Sequence, residues 1–369
     1  MKIAMIFPYA PSYREGIYRL MDKELKIDWF FCGNAKRNLK LLDNSLLKNC
    51  DLTMQEKSIG AITYYKGIKK IKLHQYDAII CAGVIRSLSE WWLLQKWGRK
   101  INDVKIYVWT HGWYGKESLL QKIIKKLFFR KVDGFLLYGD YARNKMIQEG
   151  FDEKKLYVIK NSLDYDKQIL LRKKMMASDL YHRHFNNDRP TIVFIGRLTP
   201  VKKLDVLIKA VNLLKHQGEQ YNLVFIGDGE MRNTLELEVE KYELKDHVWF
   251  YGSCYDEKVN AELIYNADLC VAPGNIGLTA IHSLMFGCPA VSHNDYKWQM
   301  PEFESIIEGK TGTFFKRDDE SHLAISISQW FRLHKNSRDE VRQLCYKEID
   351  EHWNPYYQIN LIKRVLGLL

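Results

Sequence analysis

The stretch "TIVFIGRLTPVKKLDVLIKAV", residues 191–211, reads as a strand, a turn and a helix. Its first five residues are apolar, mostly β-branched or aromatic, and stop at Gly196, as a buried strand does at its end. Beyond the turn, apolar positions recur every three or four residues, which predicts a helix over 203–217. A strand feeding a helix is half of a crossover that must return to the same sheet, so the stretch predicts a parallel, doubly wound sheet. The turn carries Arg197, and Lys202 follows five residues on, near the helix start. A guanidinium forks onto phosphate oxygens, an ammonium is a compact point charge, and a helix start adds bare N–H groups. Spacing alone leaves two readings: a clamp on a diphosphate, or two solvated surface charges.

The same alternation extends in both directions. "KIAMIF", "IDWFF", "YDAIICAG", "KIYVWT", "GFLLYG" and "LYVIKN" predict strands in the first half, and "YNLVFIGD", "VWFYG", "DLCVAP" and "PAVSH" in the second. Helical stretches separate many of them, 231–242 for example. The expected fold class is α/β, with two doubly wound Rossmann-like domains facing across a cleft. The polar, cationic segment 166–189 predicts one helix and then a linker. It divides the chain into a first domain over 1–185, a second over 186–345 and a helical segment over 346–369 that can return to the first. Ligands of doubly wound sheets bind beyond the carboxyl ends of the strands, so the cleft is the expected site.

Composition narrows the partners. The 369 residues are 46% hydrophobic and 27% charged, a globular balance. The net charge of +11 hides an asymmetry: residues 1–189 carry 36 Lys+Arg against 20 Asp+Glu, and residues 190–369 carry 20 against 25. A basic half attracts anionic lipid, nucleic acid or an acidic substrate. No recognisable nucleic-acid module accompanies the charge, so nucleic acid is not an expected partner. The seven cysteines are scattered without a C-x-x-C pair. They read as buried free thiols of a reducing cytoplasm rather than metal ligands. No apolar run reaches the roughly 18 to 20 residues of a membrane span. The opening "MKIAMIFPYAP" is too short for a secretory signal and reads as a first strand.

A second informative stretch is "APGNIGLTAIHSLMFGCPAV", residues 272–291, a strand end, a glycine-bearing loop and a helix without Asp, Glu, Lys or Arg. Gly277 lets the backbone approach a ligand closely, the amides of Leu278 and Thr279 lie at the helix start, and the Thr279 hydroxyl adds a donor. An anion held there would take its countercharge from Arg197 and Lys202. Together with "LVFIGDGEMRNTLE", "HVWFYGSCYDEKVNAELIYNADLCVAP" and "LYVIKNSLD", these stretches resemble, in order over residues 104–320, the family 4 retaining glycosyltransferases of GT-B fold.

That resemblance implies an enzyme moving a sugar from a nucleotide-diphosphate donor, UDP- or GDP-linked, to a saccharide acceptor, free or lipid-linked. Surface polysaccharide or lipopolysaccharide synthesis is the implied setting, on the inner face of the cytoplasmic membrane, with no metal or other cofactor. It places the donor in the second domain against Gly196, Gly252, Asn275, Gly277, Leu278, Thr279 and His282, and makes the first domain the acceptor side. Arg197 and Lys202 stabilise charge on the leaving phosphate, and His111 of "VWTHGWYGKES" contacts the donor sugar. Tyr13 and Arg14 line the acceptor side, in a first loop, "FPYAPSYREG", that lacks the family's paired glycines. The family's E-x7-E falls here on Gly274 and His282. His282 either bonds a ribose hydroxyl or is a structural histidine. Gly274 offers no side chain, which leaves Asn275 or backbone amides. The missing carboxylates keep an alternative open: a non-catalytic sugar-nucleotide or membrane-lipid binding partner with a decayed site.

Residues 118–131, "SLLQKIIKKLFFRK", are amphipathic, with Leu119, Leu120, Ile123, Ile124, Leu127 and Phe128 on one side and Lys122, Lys125 and Lys126 on the other. The expectation is an apolar side packed on the sheet and lysines drawn to an anionic membrane surface, aided by "YYKGIKKIK" and "EWWLLQKWGRK". "GDG" at 227–229 lacks the third glycine of a dinucleotide fingerprint, and "GKT" at 309–311 lacks the first glycine of a P-loop. "DYD" at 164–166 reads as turn and cap chemistry rather than a metal site. Glu302 and Glu304, beyond "QMP", either reach the cleft or sit in a solvated loop.

Overall fold

The structure, a computed structural model, describes residues 1–34, 40–97 and 103–369, in two compact units: 1–164 with 354–369, and 165–353. In the first unit the chain forms β1 (Lys2–Ile6), α1 (Glu15–Glu24), β2 (Lys26–Cys32), β3 (Cys50–Ile59), β4 (Ile62–Lys66), β5 (Ala78–Cys81), α2 (Leu88–Trp97), β6 (Lys105–Thr110), α3 (Leu119–Phe129), β7 (Gly134–Leu137), α4 (Asp140–Gln148) and β8 (Leu156–Val158). The second unit holds α5 (Tyr165–Arg172), α6 (Leu180–Phe185), β9 (Thr191–Ile195), α7 (Leu204–His216), β10 (Asn222–Ile226), α8 (Arg232–Lys241), β11 (Val248–Gly252), α9 (Glu257–Asn266), β12 (Leu269–Ala272), α10 (Thr279–Met285), β13 (Ala290–His293), β14 (Gly312–Phe315), α11 (Glu320–Leu333) and α12 (Arg338–His352). The last helix, α13 (Pro355–Val365), returns to the first unit and packs on α1, burying Ile359, Ile362 and Leu366 in the same core cluster as Ile17 and Met21.

The first sheet runs β4-β3-β2-β1-β5-β6-β7-β8, parallel except for the β3–β4 hairpin. Along β1, Ile3 and Met5 enter one apolar cluster and Ala4 and Ile6 the other, so both faces are covered, as a parallel sheet requires. The second sheet, β11-β10-β9-β12-β13-β14, is wholly parallel. Its chain order reverses direction between β9 and β12, and that of the first sheet between β1 and β5. Such reversals open a crevice at the carboxyl ends of the flanking strands.

Three expectations change. The hairpin and β14 lie where no strand was expected. Most of β3 is exposed, and so it lacks the apolar alternation that betrays a half-buried strand. Segment 166–189 is two helices rather than one, and it belongs to the second unit. Gln168 Nε2 donates to Glu257 Oε1 at 2.7 Å, Arg172 pairs with Asp350 at 2.7 Å, and the Tyr181 hydroxyl donates to the Leu263 carbonyl at 2.6 Å. The boundaries therefore fall at 164/165 and 353/354, not at 185/186 and 345/346.

Helix α3 is turned the opposite way from the expectation. Lys122 and Lys126 both pair with Glu149, at 2.5 and 2.9 Å. Lys125 pairs with Glu117 at 2.6 Å and donates to the Gly112 carbonyl at 3.0 Å. The lysines thus hold the helix to its own unit, while Leu119 (80% exposed), Leu120 (66%), Ile123 (56%) and Leu127 (51%) face outward and only Phe128 and Phe129 are buried. The aromatic run is also partly structural: Trp91 meets Phe128 edge-on at 5.0 Å and donates to the Ile85 carbonyl. Its end, Gly98 to Lys100, lies outside the described residues.

Candidate active site

In the second unit the β9–β12 reversal brings together two loops, 196–203 after β9 and 273–278 after β12. The Gly274 amide donates to the Lys202 carbonyl at 2.9 Å and the Asn275 amide to the Val201 carbonyl at 3.3 Å. The Lys202 ammonium lies across this seam, donating to the Asn275 carbonyl at 2.5 Å, which occupies one of its three N–H bonds. Burial pushes the Lys202 pKa down to about 8, and the nearby Arg197 charge adds to that, against the buried Glu302 carboxylate. Arg197 itself is exposed. Glu302 is therefore in the core beside the lysine, not in a solvated loop.

The start of α10 closes the cluster. The amides of Gly277, Leu278 and Thr279 make no backbone hydrogen bond. The Thr279 hydroxyl, expected as a further donor, gives its proton to the Ile195 carbonyl at 2.8 Å and pins the helix start to β9. It is buried and committed, so only the Thr279 amide remains. Gln299, which sequence reasoning passed over, holds the loop from below. Its Oε1 accepts from the Ile276 amide at 3.0 Å, and its Nε2 donates to the Ser292 hydroxyl and the His293 carbonyl at 2.7 and 3.1 Å.

The "GDG" glycines serve packing. A Cβ at Gly227 would overlap the Gly196 carbonyl, and one at Gly229 would come within 2.5 Å of the Leu198 carbonyl. The 227–229 loop thus lies backbone to backbone against the Arg197 loop, and the Gly227 amide donates to Gly252 at 2.8 Å. Gly196, Arg197, Lys202, Asn275, Gly277, Leu278 and Thr279 form one cluster, with Gly252 at the adjoining strand end.

His282 is not a lone histidine. Its Nε2 meets Glu257 Oε1 at 2.9 Å, and that oxygen also accepts from Gln168. Burial pushes the Glu257 carboxyl up, but His282 and Gln168 outweigh it and hold the group below the usual carboxylate range. A carboxylate supplied by another helix, α9, therefore stands behind His282. Sequence reasoning missed it because the partner is 25 residues away.

His111, Tyr13 and Arg14 belong to the first unit. His111 follows β6, with its ring 4.6 Å from that of Tyr138 and 6.0 Å from that of Tyr114. Its Nδ1 is buried without a partner, and burial, with the charges of Arg14 and Lys125, pushes its pKa down to about 4. The imidazole is therefore neutral near pH 7. Among the described residues, no group of three or more His, Cys, Asp or Glu is arranged to hold a metal ion.

Residues 181–347 match the family model of glycosyl transferases group 1. The GDP-mannose-dependent alpha-(1-6)-phosphatidylinositol dimannoside mannosyltransferase of Mycobacterium tuberculosis is 35% identical over 103 residues, 27% of this chain and 26% of that protein. The Campylobacter jejuni alpha-1,4-N-acetyl-D-galactosaminyltransferase named for a diNAcBac-PP-undecaprenol-linked acceptor is 28% identical over 170 residues, 44% of this chain and 46% of that protein. The chain spans only 22% to 46% of the length of the curated relatives it matches. The solved structure of HepE from Anabaena in complex with UDP aligns over the whole of both chains with a TM-score of 0.73 at 15% identity. This likeness is one of fold: α/β units on two parallel sheets, of GT-B type.

Proposed function

We propose that the chain is a retaining glycosyltransferase. It takes a sugar from a UDP- or GDP-linked donor and passes it, without a metal, to a saccharide acceptor, lipid-linked, in surface polysaccharide or lipopolysaccharide assembly. One observation carries this reading: at the β9–β12 reversal the Lys202 ammonium, near the Arg197 charge, bonds the Asn275 carbonyl of a loop that has no acid of its own and is followed by three amides without a backbone partner. Such a cluster suits the anion of a leaving nucleoside diphosphate. In a retaining transfer the glycosidic bond to phosphate breaks as the acceptor oxygen adds on the same face. Negative charge then builds on the phosphate, and stabilising it is the main catalytic task. The departing phosphate oxygen takes the acceptor's proton, so no protein base is required. The first unit takes the acceptor. Membrane attachment at the inner face of the cytoplasmic membrane belongs to the same proposal.

Thermal-shift titration with UDP, GDP and their sugars identifies the donor. With it, Arg197→Ala and Lys202→Ala should each lower turnover on the order of a hundredfold, as removal of a transition-state donor does. Unchanged turnover in both would exclude the assignment. The decayed-site alternative predicts nucleotide-sugar binding with neither transfer nor hydrolysis, which release of free nucleotide would rule out.

A further inference from the structure

Arg14 is a buried cation without a countercharge. It stands in the loop after β1, is 9% exposed, and pairs with no Asp or Glu among the described residues. Nη1 donates to the Tyr18 hydroxyl at 3.1 Å, Nη2 donates to the Tyr138 hydroxyl, and Nε is buried with no partner. The rest of its surroundings is aromatic, with the Trp109, Tyr13 and Phe7 rings centred 5.0, 5.7 and 5.9 Å from the guanidinium carbon. Among the described residues Arg342 is also buried, with Nε and Nη1 unpartnered, but a carboxylate, Asp339, lies at 4.0 Å and Nη2 donates to the Tyr265 carbonyl. Phenol oxygens and ring faces offset only part of the cost of taking a full charge out of water. An anionic ligand would complete the balance.

The position fits a ligand site. Arg14 follows β1, where the strand order reverses, while His111 follows β6 and Tyr138 follows β7, so all three stand at carboxyl ends of parallel strands. The unpartnered Nδ1 of His111 belongs to a ring packed on Tyr138, the same side chain that receives Nη2 of Arg14. We propose that Arg14, Tyr138 and His111 form an oxyanion site in the first unit that holds an acidic group, phosphate or carboxylate, of the acceptor. This rests on the transferase reading above, which already assigns the donor diphosphate to the Arg197–Lys202 cluster and leaves a second anion site to the second substrate.

The test is calorimetric titration of the full chain with inorganic phosphate at constant ionic strength, with and without saturating UDP or GDP, and with acetate in place of phosphate to separate the two ligand chemistries. Phosphate or acetate binding should persist beside the nucleotide. Arg14→Gln should weaken it at least about tenfold, the loss expected of a charge-assisted bond, while nucleotide affinity stays within about twofold. Tyr138→Phe, which keeps the ring, should weaken it in the same direction and decides the matter if Arg14→Gln does not fold by circular dichroism. Loss of anion binding once nucleotide saturates would assign the site to the donor and overturn the proposal. So would unchanged binding in the variants. A chain that binds phosphate through Arg14 but neither UDP nor GDP would instead remove the transferase reading and leave the anion site standing.

Discussion

Gly274 is a position that sterics reserve for glycine. A Cβ there would run into the Val201 carbonyl oxygen and come within 2.8 Å of the Lys202 backbone. The glycine and the close-lying lysine loop are one adaptation, because any side chain at 274 forces the two loops apart. Gly274→Ala should therefore lower unfolding free energy by about 1–3 kcal/mol, the range for overpacking, in urea denaturation. It should also weaken nucleotide binding, and wild-type values on both counts would refute the account. Lys202 makes a pH prediction. Its pKa of about 8 in the free protein means the charge is present at pH 7 and lost as pH rises through 8. A bound diphosphate favours the charged form, so binding takes up a proton in that range. Nucleotide dissociation constants should rise from pH 7.5 to 9.5, approaching about tenfold per unit, and Lys202→Arg should flatten the rise. The residues of this cluster were legible because each is announced locally, by a strand end, a glycine or a helix start. Gln299 and Glu257 were not, since what matters in them is a partner 23 or 25 residues away.

At the scale of elements, β9 with α7 and β12 with α10 could be read from period and punctuation alone, and those four carry the candidate site. Helix α3 shows where that reading stops. A helical period reveals a stripe of leucine and isoleucine but not which way it faces. Glu117 and Glu149 settle the direction by drawing the lysines inward. The segment 165–185 has the composition of a linker, and its contacts to α9, α10 and α12 make it part of the second unit. Helix α2 holds a feature that its sequence does not advertise. Glu90 is fully buried, accepts from the Tyr65 hydroxyl at 3.0 Å and the Val84 amide at 2.9 Å, and burial raises its pKa to about 7. The folded state thus prefers the protonated acid more than the unfolded chain does. Its contribution is full below pH 4.5 and is lost as pH rises through 7. Relative to Glu90→Gln, wild-type stability should fall between pH 4.5 and 7 by at most about 3 kcal/mol. Parallel stability curves for the two proteins would contradict this.

For the whole molecule, the net positive charge and the exposed apolar face of α3 fall in the same unit. Residues 1–164 with 354–369 carry 32 Lys+Arg against 17 Asp+Glu, a net +15, whereas 165–353 carry 24 against 28. Among the described residues no helix is long and apolar enough to cross a membrane, yet α3 presents four large apolar side chains more than half exposed on one face. A helix whose apolar side faces outward from a basic body suits the boundary of an anionic bilayer, where leucines enter the acyl region and the net charge is drawn to the lipid. This arrangement alters the expected salt response. Lysines reaching out from α3 would let go fully in high salt. Inserted leucines would not, because apolar transfer is not screened. Cosedimentation should therefore show stronger binding to phosphatidylglycerol-containing vesicles than to phosphatidylcholine ones, with only partial release at high salt. Leu120→Glu with Ile123→Glu removes two apolar groups worth about 1.5–3 kcal/mol each if fully buried and should abolish that binding, while nucleotide affinity, proposed above for the other unit, should stay unchanged. Equal binding of the double variant and the wild type would show that the face of α3 does not meet lipid.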